Sequence, residues 1–257
     1  MWFKCLTSSA SRRVPKALLI DLDGTVLPGT DQPTQTAMNA VRAASELIPV
    51  AIASGRVQDD VCHYARLFGL STLQVADNGS TRIDPLTSRA VIRRTFSRAD
   101  AMHTVSVLEK AAKRTLVCDA GRFVPLPKDI QRCDITVVMG EFSSQPEAKL
   151  WADKLQSSTV EASVSIDNVD KWYIDCTPAG VDKGFGATQF VERVGVELDD
   201  LMVIGDGWND VPMFKVVGIP IAMESAPEEL LQLAAGVVPD IDNDGAALAI
   251  EQYVLNT

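Results

Sequence analysis

The sequence predicts an α/β protein with a Rossmann-like, doubly wound parallel sheet and a separate α+β segment inserted into it. Five short apolar runs predict the sheet, because each is continuous rather than alternating, as in strands that helices cover on both faces. Stretches with helical spacing separate these runs. Apolar residues in the middle of the chain alternate instead, which predicts antiparallel strands with one open face.

The predicted core begins with three strands, in the runs KALLIDLD, IPVAIASGR and TLQVADNG. Helical spacing over 34–46 and 57–68 predicts the helices between them. The runs LMVIGDG and GIPIAM return to the sheet after the inserted segment. We therefore expect an α/β core that is formed by residues 15–82 and 179–257.

The inserted segment is expected over residues 83–178. Its predicted order is a hairpin in TRIDPLTSRAVIRRTF, a helix over 99–113, the strand ITVVMGE, a helix entered at Pro146, and the strands VEASVSIDN and KWYIDCTP. A segment inserted beside the ligand edge of a sheet can serve as a lid.

Composition excludes several classes of protein. A net charge of −10 over 257 residues argues against a nucleic-acid partner, which would need a basic face. The five cysteines lack metal-site or disulfide spacing, which indicates reduced thiols in a cytoplasmic protein. No run approaches a membrane span, and residues 1–14 read as a disordered lead without a signal-peptide core. The expected partner is a small molecule, and the oligomeric state is left open.

Polar residues follow the predicted parallel strands where each strand ends. Asp21 and Asp23 follow the first strand, and Ser54, Asn78 and Asp206 follow three others. Ligands of open α/β sheets bind at the carboxyl ends of the strands, so these side chains are expected to share one crevice. Two carboxylates at i and i+2 point the same way and repel, unless they chelate a cation or divide nucleophilic and acid/base roles.

GDGWNDV supplies a second acidic cluster, with Asn209 and Asp210 about one helical turn after Asp206. Together with the first pair it offers enough oxygens for an octahedral Mg²⁺ that keeps waters and takes a phosphate oxygen. A single acid of this kind is often a helix cap.

Phosphate ligands are predicted from ASGR and from TPAGVDKG. Ser54 and Gly55 precede a helix whose free N–H groups favour phosphate oxygens, although the same pair is common in plain turns. Lys183 would supply a fixed cation beside the metal, although a lone lysine is often a solvated surface charge.

These motifs resemble the four motifs of the haloacid dehalogenase-like phosphatases in order and spacing. They are D-x-D-G-T at 21–25, S-G-R at 54–56, Lys-Gly at 183–184 and G-D-x-x-N-D at 205–210. The segments ADNGS, GIPIAMESAPEEL and DNDGAALAIEQY are similar to those of the Cof-type and sucrose-phosphatase-like subgroup, which carries a large α+β cap of C2 type.

The resemblance implies a role for each motif residue. Asp21 would form an aspartyl-phosphate, and Asp23 would protonate the leaving oxygen and then activate water. The metal ligands would be Asp21, the backbone carbonyl of Asp23, Asp206 and Asp210. Ser54, Gly55, Lys183 and Asn209 would hold or orient the phosphate. The implied reaction is the hydrolysis of a small phosphate monoester, such as a sugar phosphate; a phosphomutase of the same superfamily is the alternative.

The inserted cap would set specificity. Arg122, Lys171, Trp172 and Tyr173 are the candidate substrate contacts, although each can also be ordinary cap surface or core. Trp208, which is bulky for a variable motif position, is expected to pack or to edge the pocket.

A rival from another class comes from DIDNDGAALAIE, Asp240 to Glu251, which matches a calcium-loop pattern. The context opposes an EF-hand, because the preceding GVVPD reads as a strand and only six residues follow. A loop that caps the last helix, with Asp244 as N-cap, would explain the same acids.

Overall fold

The computed structural model describes residues 13–124, 127–167 and 171–256. Most of the predicted lead lies outside the described residues. The strands are β1 (Ala17–Ile20), β2 (Val50–Ile52), β3 (Gln74–Ala76), β4 (Thr81–Asp84), β5 (Arg89–Arg93), β6 (Arg114–Asp119), β7 (Arg122–Val124), β8 (Ile135–Phe142), β9 (Val160–Ile166), β10 (Trp172–Pro178), β11 (Leu201–Gly205), β12 (Ile219–Met223) and β13 (Gly236–Val238). The helices are α1 (Gln35–Leu47), α2 (Gln58–Leu67), α3 (Arg98–Ala111), α4 (Gln145–Leu155), α5 (Lys183–Val194), α6 (Val211–Val216), α7 (Glu228–Leu233) and α8 (Gly245–Ile250).

The core is a five-stranded parallel sheet in the order β13-β12-β11-β1-β2. Along β1, Leu18 and Ile20 pack on one face with α1, α2 and α8, while Ala17 and Leu19 pack on the other with α5, α6 and α7. Both faces are therefore buried, which explains why the strand is apolar at every position. The predicted doubly wound architecture is confirmed.

The middle of the chain forms an antiparallel sheet in the order β7-β6-β8-β10-β9. Helices α3 and α4 cover one of its faces, where Val138 and Ile174 lie in a separate apolar cluster. The opposite face contributes side chains such as Met139 and Asp175 to a cavity. This division into one covered and one open face accounts for the alternation in the sequence.

A small sheet, β3-β4-β5, connects these two sheets. A bridge between Ala53 and Val75 joins β3 in parallel to the chain that follows β2, and β4 pairs antiparallel with β3. The expected boundary between residues 82 and 83 falls inside β4. The division into core and inserted segment stays a prediction at that boundary.

The β6-β7 hairpin was not predicted from the sequence. Its two strands are joined by Ala120 and Gly121, which have φ values of +55° and +87°. Two positive φ values in succession are typical of a tight hairpin turn, and Gly121 was the available signal. An alanine at the first turn position is uncommon, so the signal was weak.

None of the helices in the described part of the chain has the length and apolar character that a membrane span requires.

Candidate active site

The first acidic residues lie at the carboxyl edge of the parallel sheet. Asp21 and Asp206 follow the adjacent strands β1 and β11, in which Ile20 pairs with Ile204. The N–H of Asp21 donates to the carbonyl oxygen of Ile204 at 3.0 Å. The strand register therefore brings two residues together that are 185 positions apart in the sequence.

Asp210 completes this acidic cluster. One carboxylate oxygen from each of Asp21, Asp206 and Asp210 lies within 4.8 Å of the other two. Asp210 is fully buried, and its Oδ2 accepts from the N–H groups of Asp206 at 3.0 Å and Gly207 at 2.9 Å. The loop after β11 is thus folded around this carboxylate.

Lys183, the first residue of α5, neutralises part of the cluster. Its Nζ donates to Oδ1 of Asp21 at 2.7 Å and to Oδ1 of Asp210 at 2.6 Å, and its side chain is 0 % exposed. The alternative of a solvated surface lysine is therefore wrong. Lys183 therefore holds two carboxylates together, and it is not among the described residues that line the cavity.

The cluster carries an excess of negative charge. Burial, followed by the charge of Asp210, raises the pKa of Asp21 well above its ordinary value, although Lys183 opposes the shift. Burial and the charge of Asp210 also raise the pKa of Asp206 to about 7. Three clustered carboxylates face one ammonium group, so a hard cation with oxygen ligands fits the donor set and the missing charge.

Gly24 allows the chain to turn closely beside Asp206. Its φ is +77°, and a Cβ on this residue would lie 2.1 Å from Oδ2 of Asp206. The hydroxyl of Thr25 donates to Oδ1 of the same carboxylate at 2.7 Å. The D-x-D-G-T motif therefore shapes the position of a carboxylate on another strand.

We expect Gly24→Ala to weaken the affinity for a divalent cation about 10- to 100-fold, because Asp206 must move. Isothermal titration calorimetry with Mg²⁺ measures this change. Gly180→Ala is the matched control, since Gly180 has a similar φ of +71° but nothing within 4 Å of its Cβ position. Equal losses of affinity in both variants would assign the effect to backbone strain alone.

Asp23 is held by Arg56. Nε of Arg56 donates to Oδ2 of Asp23 at 2.9 Å, and Nη2 donates to Oδ1 at 2.6 Å. Nη2 also donates to Asp31. Burial lowers the pKa of Arg56, but the hydrogen bonds and charges of these two aspartates outweigh it and raise the pKa. Arg56 belongs to the S-G-R motif, but the sequence did not indicate this pairing, because it joins residues that follow two different strands.

Asn78 links the core to the antiparallel sheet. Its Oδ1 accepts from Nδ2 of Asn209 at 3.2 Å, and its own Nδ2 donates to Oδ2 of Asp175 at 3.0 Å. Asn78 has φ +49°, a conformation that asparagine tolerates better than most residues. Gly55 lies against this amide, since a Cβ there would be 3.2 Å from it. Ser54 is buried, and its Oγ accepts from the N–H of Arg56 at 3.1 Å.

These groups open into a cavity of about 360 Å³, which is large enough for a small metabolite. Strand ends of the core supply one side, and the open face of the antiparallel sheet supplies the other. The described lining is Asp21, Asp23, Gly29, Asp31, Ser54, Gly55, Arg56, Asp60, Phe123, Met139, Ser165, Ile166, Asp167, Tyr173, Asp175, Asp206, Gly207 and Asn209.

Only one of the four candidate cap contacts, Tyr173, is among these described lining residues. Lys171 is exposed, and the Arg122 side chain is 82 % exposed, with Nε 3.9 Å from Oδ2 of Asp59. Trp172 packs against Trp208, with ring centroids 5.3 Å apart. Trp208 thus makes a packing contact with the antiparallel sheet. The structure adds Phe123, Ser165 and Asp175 as lining residues that sequence reasoning missed.

The calcium-loop pattern from Asp240 to Glu251 does not lie between two helices. Strand β13 precedes it, and α8 begins inside it at Gly245. Asp244 occupies the N-cap position of α8 without a capping side-chain hydrogen bond; its Oδ1 accepts from the hydroxyl of Thr34 instead. Among the described residues, only Asp21, Asp206 and Asp210 form a group that could hold a metal ion.

The family model of the haloacid dehalogenase-like hydrolases matches residues 18–129 and 123–250. A curated relative is a phosphoglycolate phosphatase from Archaeoglobus fulgidus, which is 28% identical over 238 residues, or 92% of this chain and 96% of that protein.

Two solved structures share the fold. A haloacid dehalogenase-like hydrolase from B. subtilis has a TM-score of 0.79 at 20% identity and covers 92% of this chain and 99% of its own. A sugar phosphatase of subclass IIB has a TM-score of 0.77 at 19% identity and covers 93% of this chain and 98% of its own. At these identities the structural likeness establishes the fold alone.

Proposed function

The chain belongs to the haloacid dehalogenase-like hydrolases, and we propose that it is a Mg²⁺-dependent phosphatase of a small phosphate monoester. The observation that carries the proposal is the cluster of Asp21, Asp206 and Asp210, in which Lys183 bonds to Asp21 and Asp210, and Asp21 and Asp206 line the cavity. A relative that is named phosphoglycolate phosphatase supports the class of reaction, and a solved structure that shares the fold is named a sugar phosphatase. They differ in the alcohol that is released, so they leave the substrate open.

Mg²⁺ fits the donor set because it prefers carboxylate oxygens and keeps waters and substrate phosphate oxygens in its remaining positions. Asp21, Asp206 and Asp210 would hold it, together with the backbone carbonyl of Asp23. When bound, the ion would neutralise charge on the transferring phosphoryl group.

Asp21 is the proposed nucleophile. A bond forms between its carboxylate oxygen and phosphorus while the bond from phosphorus to the ester oxygen breaks, which gives an aspartyl-phosphate and an alcohol. Asp23 gives its proton to the departing oxygen. In the second step Asp23 takes a proton from water, whose oxygen attacks phosphorus and restores the Asp21 carboxylate.

Arg56 is the proposed positioning residue for Asp23. Both carboxylate oxygens of Asp23 accept hydrogen bonds from Arg56, which orients the side chain. One of these bonds has to give way before that oxygen can carry a proton, and we assign this change to the binding of substrate. Ser54, the backbone at Gly55, and Asn209 line the same cavity and are the proposed phosphate contacts.

The proposal is tested by phosphate release from p-nitrophenyl phosphate and a panel of phosphate monoesters, with Mg²⁺ or with EDTA. We expect hydrolysis that depends on Mg²⁺. Product analysis by chromatography separates the mutase alternative, which would give an isomeric phosphate ester without inorganic phosphate. Hydrolysis that is unchanged by EDTA, or no turnover of any ester, would contradict the proposal.

The pH dependence of stability follows from Asp206. Its pKa is about 7 in the folded chain against an ordinary value of 3.8, so the folded state binds the proton more tightly. Metal-free stability should therefore fall as the pH rises from about 4 to about 7, and Mg²⁺ should restore it where the carboxylate is ionised.

Thermal unfolding in EDTA at pH 5.5 and 8 measures this effect, with a melting temperature roughly several degrees lower at pH 8 expected. Asp206→Asn should weaken this trend without removing it, because Asp21 is a second carboxyl whose pKa burial raises. A metal-free protein that becomes more stable from pH 5.5 to 8 would be the opposite result.

A further inference from the structure

We propose that the alcohol released by this chain carries hydrogen-bond donors, as hydroxyl or ammonium groups, rather than a carboxylate, and that Asp175 accepts one of those donors. This inference rests on the proposed function, because it names the leaving part of the same phosphate ester. It separates two kinds of substrate that the names of the relatives leave open.

Asp175 is a buried carboxylate with one unused acceptor. It lies on β10, is 2 % exposed and lines the cavity. Its Oδ2 accepts from the hydroxyl of Ser165 at 2.7 Å and from Nδ2 of Asn78 at 3.0 Å. Its Oδ1 has no hydrogen-bond partner among the described residues. Oδ1 is itself buried, and an unsatisfied buried acceptor is costly, so a ligand donor that reaches Oδ1 from the cavity would stabilise it.

The two existing partners of Asp175 favour its ionised, accepting form. Burial raises the pKa of Asp175, and the hydrogen bonds from Ser165 and Asn78 oppose this shift only in part. Both partners donate to the carboxylate, so the local structure presents Asp175 as an acceptor.

Asp175 is also connected to the reacting end of the cavity. Asn209 donates to Asn78, and Asn78 donates to Asp175, so two hydrogen bonds join the loop after β11 to the antiparallel sheet. A small ester with its phosphate beside Asp21 can therefore extend toward Asp175 within one cavity of about 360 Å³.

The charge of the lining disfavours a second anion. Seven of the described lining residues are aspartates, and Arg56 is the cation among them. Its Nε and Nη2 donate to Asp23, and Nη2 also donates to Asp31. Lys183 is not among the described lining residues, and it bonds to two carboxylates. A carboxylate on the leaving group would meet like charges, whereas hydroxyl or ammonium groups would meet acceptors.

The test compares three two-carbon phosphates that differ in their terminal group. They are phosphoglycolate, 2-hydroxyethyl phosphate and phosphoethanolamine, which end in a carboxylate, a hydroxyl and an ammonium group. We expect the wild type to prefer 2-hydroxyethyl phosphate or phosphoethanolamine. The kcat/KM for the preferred one of these two should be at least about tenfold above that for phosphoglycolate. The comparison of 2-hydroxyethyl phosphate with phosphoethanolamine shows whether a hydroxyl or an ammonium donor is preferred.

Asp175→Asn is the informative variant, because asparagine keeps the shape and removes the charge. The ratio of kcat/KM for the preferred donor substrate to that for phosphoglycolate should fall at least about fivefold. Asp153→Asn removes the same charge from an exposed position on α4 and should leave the ratio unchanged. Using a ratio within each variant separates specificity from any general loss of folded enzyme.

Two failures are distinguishable. If the wild type hydrolyses none of the three compounds and not p-nitrophenyl phosphate either, the proposed function fails. If it hydrolyses p-nitrophenyl phosphate with Mg²⁺ but prefers phosphoglycolate, or if Asp175→Asn leaves the ratio unchanged, this inference alone is overturned.

Discussion

Asp21→Asn is expected to abolish phosphate release while the chain remains folded. The amide cannot attack phosphorus, so the loss in kcat should be about 10⁴-fold or more, which is the scale seen when a nucleophile is removed. The fold should survive because asparagine has the same shape, and because burial already raises the pKa of Asp21 and disfavours its charge. Steady-state kinetics with Mg²⁺ measures the loss, and circular dichroism tests the fold.

Asp153→Asn is again the matched control, since it makes the same chemical change at an exposed residue. It should keep the wild-type rate. Folded Asp21→Asn protein with more than about a tenth of wild-type kcat would remove Asp21 from the role of nucleophile. Rapid-quench kinetics adds a second measurement. A burst of alcohol before steady state would show that the ester is cleaved faster than the phospho-enzyme is hydrolysed.

The core fold was predictable because its physical cause is local. Strands covered on both faces must be apolar at each position, so the runs that contain β1, β2, β3, β11 and β12 are visible without any knowledge of their neighbours. Their carboxyl ends also share an edge once they are parallel, which brings Asp21 and Asp206 together. The fold and this pair of acids thus follow from pattern alone.

The partners of the charged residues were less predictable, because they depend on side chains that are distant in sequence. Arg56 and Asp23 pair across 33 positions, and Asn78 and Asp175 across 97. The sequence left Lys183 either as a surface charge or as a phosphate ligand, and its burial between two carboxylates required the folded chain.

Cap contacts were the hardest to predict. In an antiparallel strand, neighbouring residues point to opposite faces, so a shift of one position exchanges cavity and helix contacts. Tyr173 and Asp175 line the cavity, whereas Trp172 and Ile174 belong to the apolar cluster under the helices. The motif KWYID did not indicate which face is open, because the covering helices α3 and α4 are separate elements.

Lys183→Met should strongly lower the free energy of unfolding. The change removes the ammonium group that bonds to Asp21 and Asp210 and leaves two buried carboxylates without that partner. Breaking a buried ion pair in this way costs about 3 to 5 kcal/mol, so the free energy of unfolding should fall by that amount and the melting temperature by about 10 °C. Urea and thermal unfolding in EDTA measure both quantities.

Lys183→Met combined with Asp210→Asn tests the cause, because the second change removes one of the two charges left unpaired. We expect the double variant to be more stable than Lys183→Met alone. Part of the gain is offset, because Asp210 also accepts hydrogen bonds from two backbone N–H groups, and an amide oxygen is a weaker acceptor than a carboxylate oxygen. A coupling of about 1 kcal/mol or more in this double-mutant cycle would assign the stability to the ion pair. If the two losses simply add, the ion pair with Asp210 does not stabilise the fold, and we would then assign the charge of Lys183 to the reaction.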